Sequence, residues 1–186
     1  IVFFFISSQL EAFTATLAKQ NIAVFVTDAT GLAGVNRNLR AFGTIFGTSD
    51  LADAAATDME RRVDAVSAMP APQLRPKVFV QISEEPLFTI GSASFLTDLV
   101  SLAGGVSATK DVGSAYPKLS KETAAAMKPD VIILSNSEDN KQPNAAFANS
   151  PAVRNGRVYR INADIISRPG PRSVNALEEI ARLLRQ

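Results

Sequence analysis

Runs in which every position is apolar alternate, over the first 46 residues, with stretches in which apolar positions recur every three or four. Residues 1–5 (IVFFF) and 22–26 (IAVFV) belong to the first kind and predict strands covered on both faces. Leu10, Phe13 and Leu17 belong to the second and predict a helix, with Ser8 placed to cap it. Asp28 and Thr30 precede another helical stretch carrying Leu32, Val35, Leu39, Phe42 and Phe46. Strand, helix, strand, helix with short connections implies parallel pairing and right-handed crossovers.

The pattern then changes. Residues 49–69 contain neither Pro nor Gly and place Leu51, Ala55, Met59, Val63 and Val66 along one face. This predicts a helix of about 20 residues, roughly 30 Å long, ended by Pro70 and Pro72. It reads either as a rigid strut or as an ordinary packed surface helix. A second α/β unit begins at Lys77, with strands over residues 78–82 (VFVQI), 131–134 (VIIL) and 158–161, and an extended piece over 88–90. Ser94 caps a helix stopped by Gly104 and Gly105, Ser120 opens a short helix to Met127, and Pro171 starts the terminal one. Residues 135–142, rich in Asn, Ser and Asp, form a loop at the C-terminal end of a core strand, where open α/β sheets place ligands.

Composition narrows the chemistry. The chain has no Cys and no His, which removes thiol nucleophiles, Ser-His-Asp relays and the usual zinc ligand sets. A net charge of +1 supplies no general field for nucleic acid. The 186 residues, 46% apolar, suffice for one full core or two small lobes. The apolar start lacks a basic segment before it and a small-residue cleavage site after it, so it reads as a strand at which the sequence begins abruptly rather than as a signal peptide.

Three places offer candidate chemistry. Asp164 and Arg168 follow a strand and precede a helix, presenting an acceptor and a five-donor guanidinium; by themselves they read first as an ion pair bracing a Pro-rich turn, since such pairs are commonly structural. Tyr116 is placed to stack on a flat ligand or to anchor its loop on the core. Glu122 stands in the first turn of its helix, where complementing the helix dipole explains it fully. Gly104-Gly105 ends a helix instead of following a strand, so it is no phosphate loop, and Glu84-Glu85 point to opposite faces of a strand. No catalytic residue emerges.

Three segments carry a resemblance: residues 78–107 (VFVQISEEPLFTIGSASFLTDLVSLAGGVS), 115–134 (AYPKLSKETAAAMKPDVIIL) and 151–184 with its ISRPGPR. In order and spacing they resemble the cobalamin-type branch of the helical-backbone (class III) periplasmic binding proteins, which also includes haem and ferric-siderophore carriers. The resemblance runs from Phe5 to the last helix. It implies an α/β fold of two lobes with parallel-rich sheets flanked by helices, joined by one long helix. On that reading residues 1–48 are the remainder of an incomplete first lobe, 49–69 the linking helix and 70–186 the second lobe.

The resemblance further implies an extracytoplasmic component of an ABC importer that carries a metal-chelate small molecule, a corrinoid or else haem or a siderophore. It would bind no resident cofactor, metal or nucleic acid, lie in the periplasm or outside the cell at the membrane, and deliver to a permease and ATPase complex. Tyr116, Asp164, Arg168 and Phe5 match positions that line the family's cleft, and Glu122 matches a glutamate that pairs with permease arginines. Phe5 and Tyr116 stand where Trp is common, which implies a different chelate. An α/β enzyme acting on a nucleotide-sugar or metal cluster is the alternative from another class.

Overall fold

The computed structural model describes residues 1–5, 10–27 and 29–186, with the backbone alone at positions 4, 5 and 10–12. The expected caps Ser8 and Asp28 lie outside the described residues. β1 (Val2–Phe5) and β2 (Val24–Thr27) pair in parallel, Phe5 opposite Thr27, with α1 (Leu10–Lys19) as the connection. Among the described residues β1 pairs only with β2. The expectation of a strand covered on both faces is not met: Ile1 is exposed and Val2 and Phe3 are half-buried. What holds this sheet is an aromatic cluster on one side. Phe3 meets Phe25 edge-on at 5.9 Å and Phe42 at 5.4 Å, and Phe42 reaches Phe25 at 5.6 Å.

Phe42 belongs to α2 (Gly31–Phe46), which turns through Gly47 into α3 (Ser49–Ser67). The two helices approach closely at Gly43, where a Cβ would lie 2.4 Å from that of Ala52. Arg40 ties them with a bidentate pair to Glu60 at 2.8 and 3.2 Å and a bond to Asp53 at 3.2 Å. At its other end α3 meets α8 (Ser173–Leu184), where Arg62 donates to Glu178 (2.8 Å) and Asn175 (2.6 Å).

Behind α3 stands a five-stranded sheet. β3 (Lys77–Ser83) pairs with β6 (Val131–Asn136) and β6 with β7 (Val158–Asn162), all parallel. β4 (Phe88–Thr89) lies antiparallel along the end of β3, and β5 (Val106–Ser107) pairs with its beginning. The continuous apolar runs of β3 and β6 are explained by two cores. Val78, Val80, Val131 and Ile133 face one, shared with α8 and α4 (Phe95–Leu102). Phe79, Ile132 and Leu134 face the other, shared with α5 (Lys121–Met127), a 3-10 turn at Ala145–Phe147 and α6 (Pro151–Arg154).

Ser94 and Ser120 cap α4 and α5 through the amides of Leu96 and Thr123. The terminal helix begins at Ser173 rather than Pro171, because α7 (Ala163–Ile166) and a turn intervene. No helix among the described residues is long and apolar enough to cross a membrane.

Candidate functional site

Three adjoining cavities line the side of the molecule where β2 and α2 meet the loops of the larger sheet. One, of about 420 Å³, lies among Ala29, Thr30, Ser92, Asp98, Tyr116 and Pro169. A second, about 260 Å³ and mostly apolar, is walled by Val35, Leu39 and Phe42 on one side and Pro169, Gly170 and Pro171 on the other. The third, about 300 Å³ and more polar, holds Asp164, Ser167, Arg168 and Arg172 and shares Gly170 and Pro171 with the second. The shared residues make these one cleft with a single spine, the segment Arg168–Arg172.

The spine is rigid for local reasons. Two prolines fix its backbone torsions. Ser173 accepts a hydrogen bond from the Gly170 amide (3.1 Å) and donates to the Arg168 carbonyl (3.2 Å), while its own amide donates to the Gly170 carbonyl (2.9 Å). Upstream, Asn162 caps α7 by accepting from the Asp164 amide at 2.8 Å. Asp164 and Arg168 are both exposed and form no ion pair with each other. The structure therefore does not contain the turn-bracing pair that is one reading of these residues.

Tyr116 is carried by an extended segment laid against β4. The amides of Gly91 and Thr89 donate to the carbonyls of Ala115 (3.0 Å) and Pro117 (3.1 Å), and the Leu119 amide donates to Leu87 (3.0 Å). That approach requires glycine at position 91: a Cβ there would lie 2.0 Å from the Ser114 carbonyl oxygen and 2.5 Å from that of Val112. Held in this way, Tyr116 lines the first cavity and is 43% exposed as a residue, so it is not buried in the core. Phe5 ends β1 opposite Thr27, which lines the second cavity; the Phe5 side chain lies outside the described residues.

Glu122 sits apart from the cleft, exposed in the first turn of α5 and without an ion-pair partner among the described residues. Its carboxyl is held below its ordinary pKa, first by the backbone amide at the helix start and then by the Ser120 hydroxyl. The neighbouring Lys121 pairs instead with Glu85 at 3.2 Å.

The loop over residues 135–142 lines none of these cavities, contrary to the expectation from its position. β6 extends through Asn136, and of the remaining loop Asn140 alone is buried, and it is tied to the sheet. Gln81 donates to Asn140 (2.6 Å) and to the Gln142 carbonyl (2.8 Å). Asn140 returns bonds to the carbonyls of Gln81 and Ser135 at 2.9 Å each. Both side chains are wholly buried, and their groups are satisfied by one another and by backbone, including the Asn144 amide, which donates to Gln81 at 2.8 Å. Conversely, Leu39, Phe42 and Arg172 line the cleft without having been singled out as site residues. The two apolar side chains fit the helical spacing and read as core; Arg172 is the second arginine of the ISRPGPR segment, and that symmetry was the available signal.

Residues 4–165 match the family described as "Periplasmic binding protein". The vitamin B12-binding protein of Vibrio cholerae is 27% identical over 173 residues, covering 92% of this chain. This chain spans about 63% of the length of that relative. The crystal structure of the periplasmic vitamin B12 binding protein of Vibrio cholerae superposes with a TM-score of 0.81 at 25% identity, covering 98% of this chain and 72% of that one. The periplasmic haem binding protein of the same organism superposes with a TM-score of 0.80 at 20% identity, covering 100% and 77%, a likeness of fold. These relatives are binding proteins, not enzymes.

Proposed function

Because the chain belongs to the periplasmic binding protein family, in its helical-backbone (class III) form, we propose that it is the solute-capturing part of an ABC importer. It takes a corrinoid into the cleft and passes it to a membrane permease. Residues 1–48 and 70–186 are then two lobes, and residues 49–69 the helix between them. The observation that carries this reading is the common spine. Pro169 lines the cavity of Tyr116, and its neighbour Arg168 lines that of Asp164. An aromatic, a carboxylate and a guanidinium thus border one groove whose middle is apolar, the lining expected of a small-molecule site. Phe5 completes it from the first lobe.

Glu122 is the docking residue in this reading. It is exposed, charged at neutral pH and without an ion-pair partner among the described residues, so it can meet arginines on a partner. The protein works outside the cytoplasm, in the periplasm or at the outer side of the membrane. The second reading, a haem or iron-chelate carrier, is favoured by the exposed Tyr116, whose phenol oxygen can ligate iron.

Titrating the protein with cyanocobalamin and, separately, hemin while following absorbance tests both readings. A saturable shift with cyanocobalamin at micromolar concentrations supports the first. A shift with hemin alone, lost in Tyr116→Phe, replaces it with the second. A nucleotide that binds when neither chelate does would overturn both.

A further inference from the structure

We propose that Arg172 acts together with Arg168 to receive an anionic oxygen substituent, a carboxylate or a phosphate ester, borne on a ligand whose apolar body lies on the neighbouring wall of Leu39, Phe42 and Pro171. The inference deepens the function proposed above and rests on that reading for the nature of the body. It goes further by giving the ligand a charge and an orientation.

Arg168 and Arg172 both line the cavity of about 300 Å³ that also contains Asp164. Neither guanidinium has a hydrogen-bond or ion-pair partner among the described residues, so the cavity carries one surplus positive charge. Several other arginines are committed to holding the fold. Arg40, Arg62, Arg75 and Arg185 each make two or more bonds to named acceptors. Arg37, Arg154 and Arg182 also lack a partner among the described residues, so what sets the pair in the cleft apart is that both line one cavity.

The placement of Arg172 is also the wrong sign for a structural role. It occupies the N-cap position of α8, a 12-residue helix with no acidic residue in its first turn. A cation there adds to the positive end of the helix dipole, where an acceptor such as Ser, Asp or Asn is the stabilising choice. An incoming anion reverses that penalty, being met by both arginines. The arginines are held four residues apart by the Pro-Gly-Pro turn that Ser173 locks, so little ordering remains to be done on binding. Because Gly170 and Pro171 belong to both the polar and the apolar cavities, an anion at the arginines places the rest of its molecule against Phe42 and Leu39.

Two kinds of ligand carry this chemistry, and paired compounds separate them. Hemin has propionate carboxylates and its dimethyl ester does not; cyanocobalamin has a phosphodiester and dicyanocobinamide does not. Each is titrated into the unaltered protein, Arg172→Gln and Arg172→Lys. Preference for the anion-bearing member of a pair by about tenfold or more, erased in Arg172→Gln and partly restored in Arg172→Lys, is the expected result. Which pair shows it identifies the anion as carboxylate or phosphodiester. An anion preference that survives Arg172→Gln, or no preference in either pair, overturns the proposal.

A second measurement separates this proposal from the reading beneath it. Benzoate and phenyl phosphate, with benzamide as the neutral control, are titrated while the arginine Nε–H signals are followed by NMR. If no macrocycle binds but the Arg168 and Arg172 signals move together with the anions and not with benzamide, the corrinoid and haem readings fall and the anion site stands. Unmoved signals without macrocycle binding overturn the anion site as well.

Discussion

An alanine at position 91 would press its methyl group into the backbone of residues 112–114, with the Ser114 oxygen 2.0 Å away. Backbone cannot yield as a side-chain tip can, so Gly91→Ala is expected to cost about 3 kcal/mol, read as a lowered denaturant midpoint. The same change pushes away the segment that carries Tyr116, so binding in the cleft should weaken beyond what lost stability explains. Asn140→Ala acts by a different route. It strips partners from Gln81 and from the carbonyls of Gln81 and Ser135, all inside the fold, at a cost of about 2–3 kcal/mol. Ligand affinity should be unchanged in the surviving folded protein, since the loop lines none of the three cavities. At this scale the sequence was an uneven guide. Tyr116, Asp164 and Arg168 were legible as polar or aromatic punctuation beside strands and in Pro-containing turns. Asn140 was not, because a polar loop residue and a buried network residue have the same spelling until Gln81 is placed opposite.

Elements with a full period were readable, and fragments were not. The stretch free of Pro and Gly became α3 (Ser49–Ser67), close to the expected span, and the all-apolar runs became β3 and β6. β5 has two residues and α6 and α7 four each, too few for any hydrophobic repeat to register. The role of α3 is set by contacts that no spacing reveals, Arg40 to one side and Arg62 to the other. Glu178 is held below its ordinary pKa, first by the hydrogen bond from Arg62, with burial opposing it. A lowered folded-state pKa means a contribution fully present above the unfolded value and lost as pH falls through the folded one. Wild-type protein should therefore lose stability over the acidic side of the ordinary glutamate range by a small margin, the pair being partly exposed. Glu178→Gln should flatten that part of a melting-temperature profile against pH. A profile of unaltered shape would show that the pair contributes nothing measurable.

The whole molecule couples a double-faced sheet to a smaller two-stranded one, and their resistance to opening should differ. β6 is buried from Val131 through Ser135 and bonded on both sides, whereas β1 has one bonded neighbour among the described residues. Hydrogen exchange should be slowest at Ile132 and Ile133 and much faster at Val2 and Phe3; equal protection would contradict this ranking. The outer surface has its own expectation. If Glu122 docks a permease as proposed, Glu122→Arg should abolish stimulation of the transporter's ATPase while leaving chelate titration intact, and loss of both would give Glu122 a folding role at the start of α5 instead. The architecture followed from strand and helix alternation, while the cleft did not, because its walls come from α2 and from a turn more than 120 residues later. That turn has a consequence for how such a protein changes over generations. Each residue of the Pro-Gly-Pro spine borders two chambers, so the segment is a poor place for novelty to arise. Residue 116 borders one chamber only and hangs from a strand by main-chain bonds indifferent to side-chain identity. Under the proposed function, a lineage can thus exchange the aromatic there and sample new cargo, one end of the groove at a time, without losing its grip at the other.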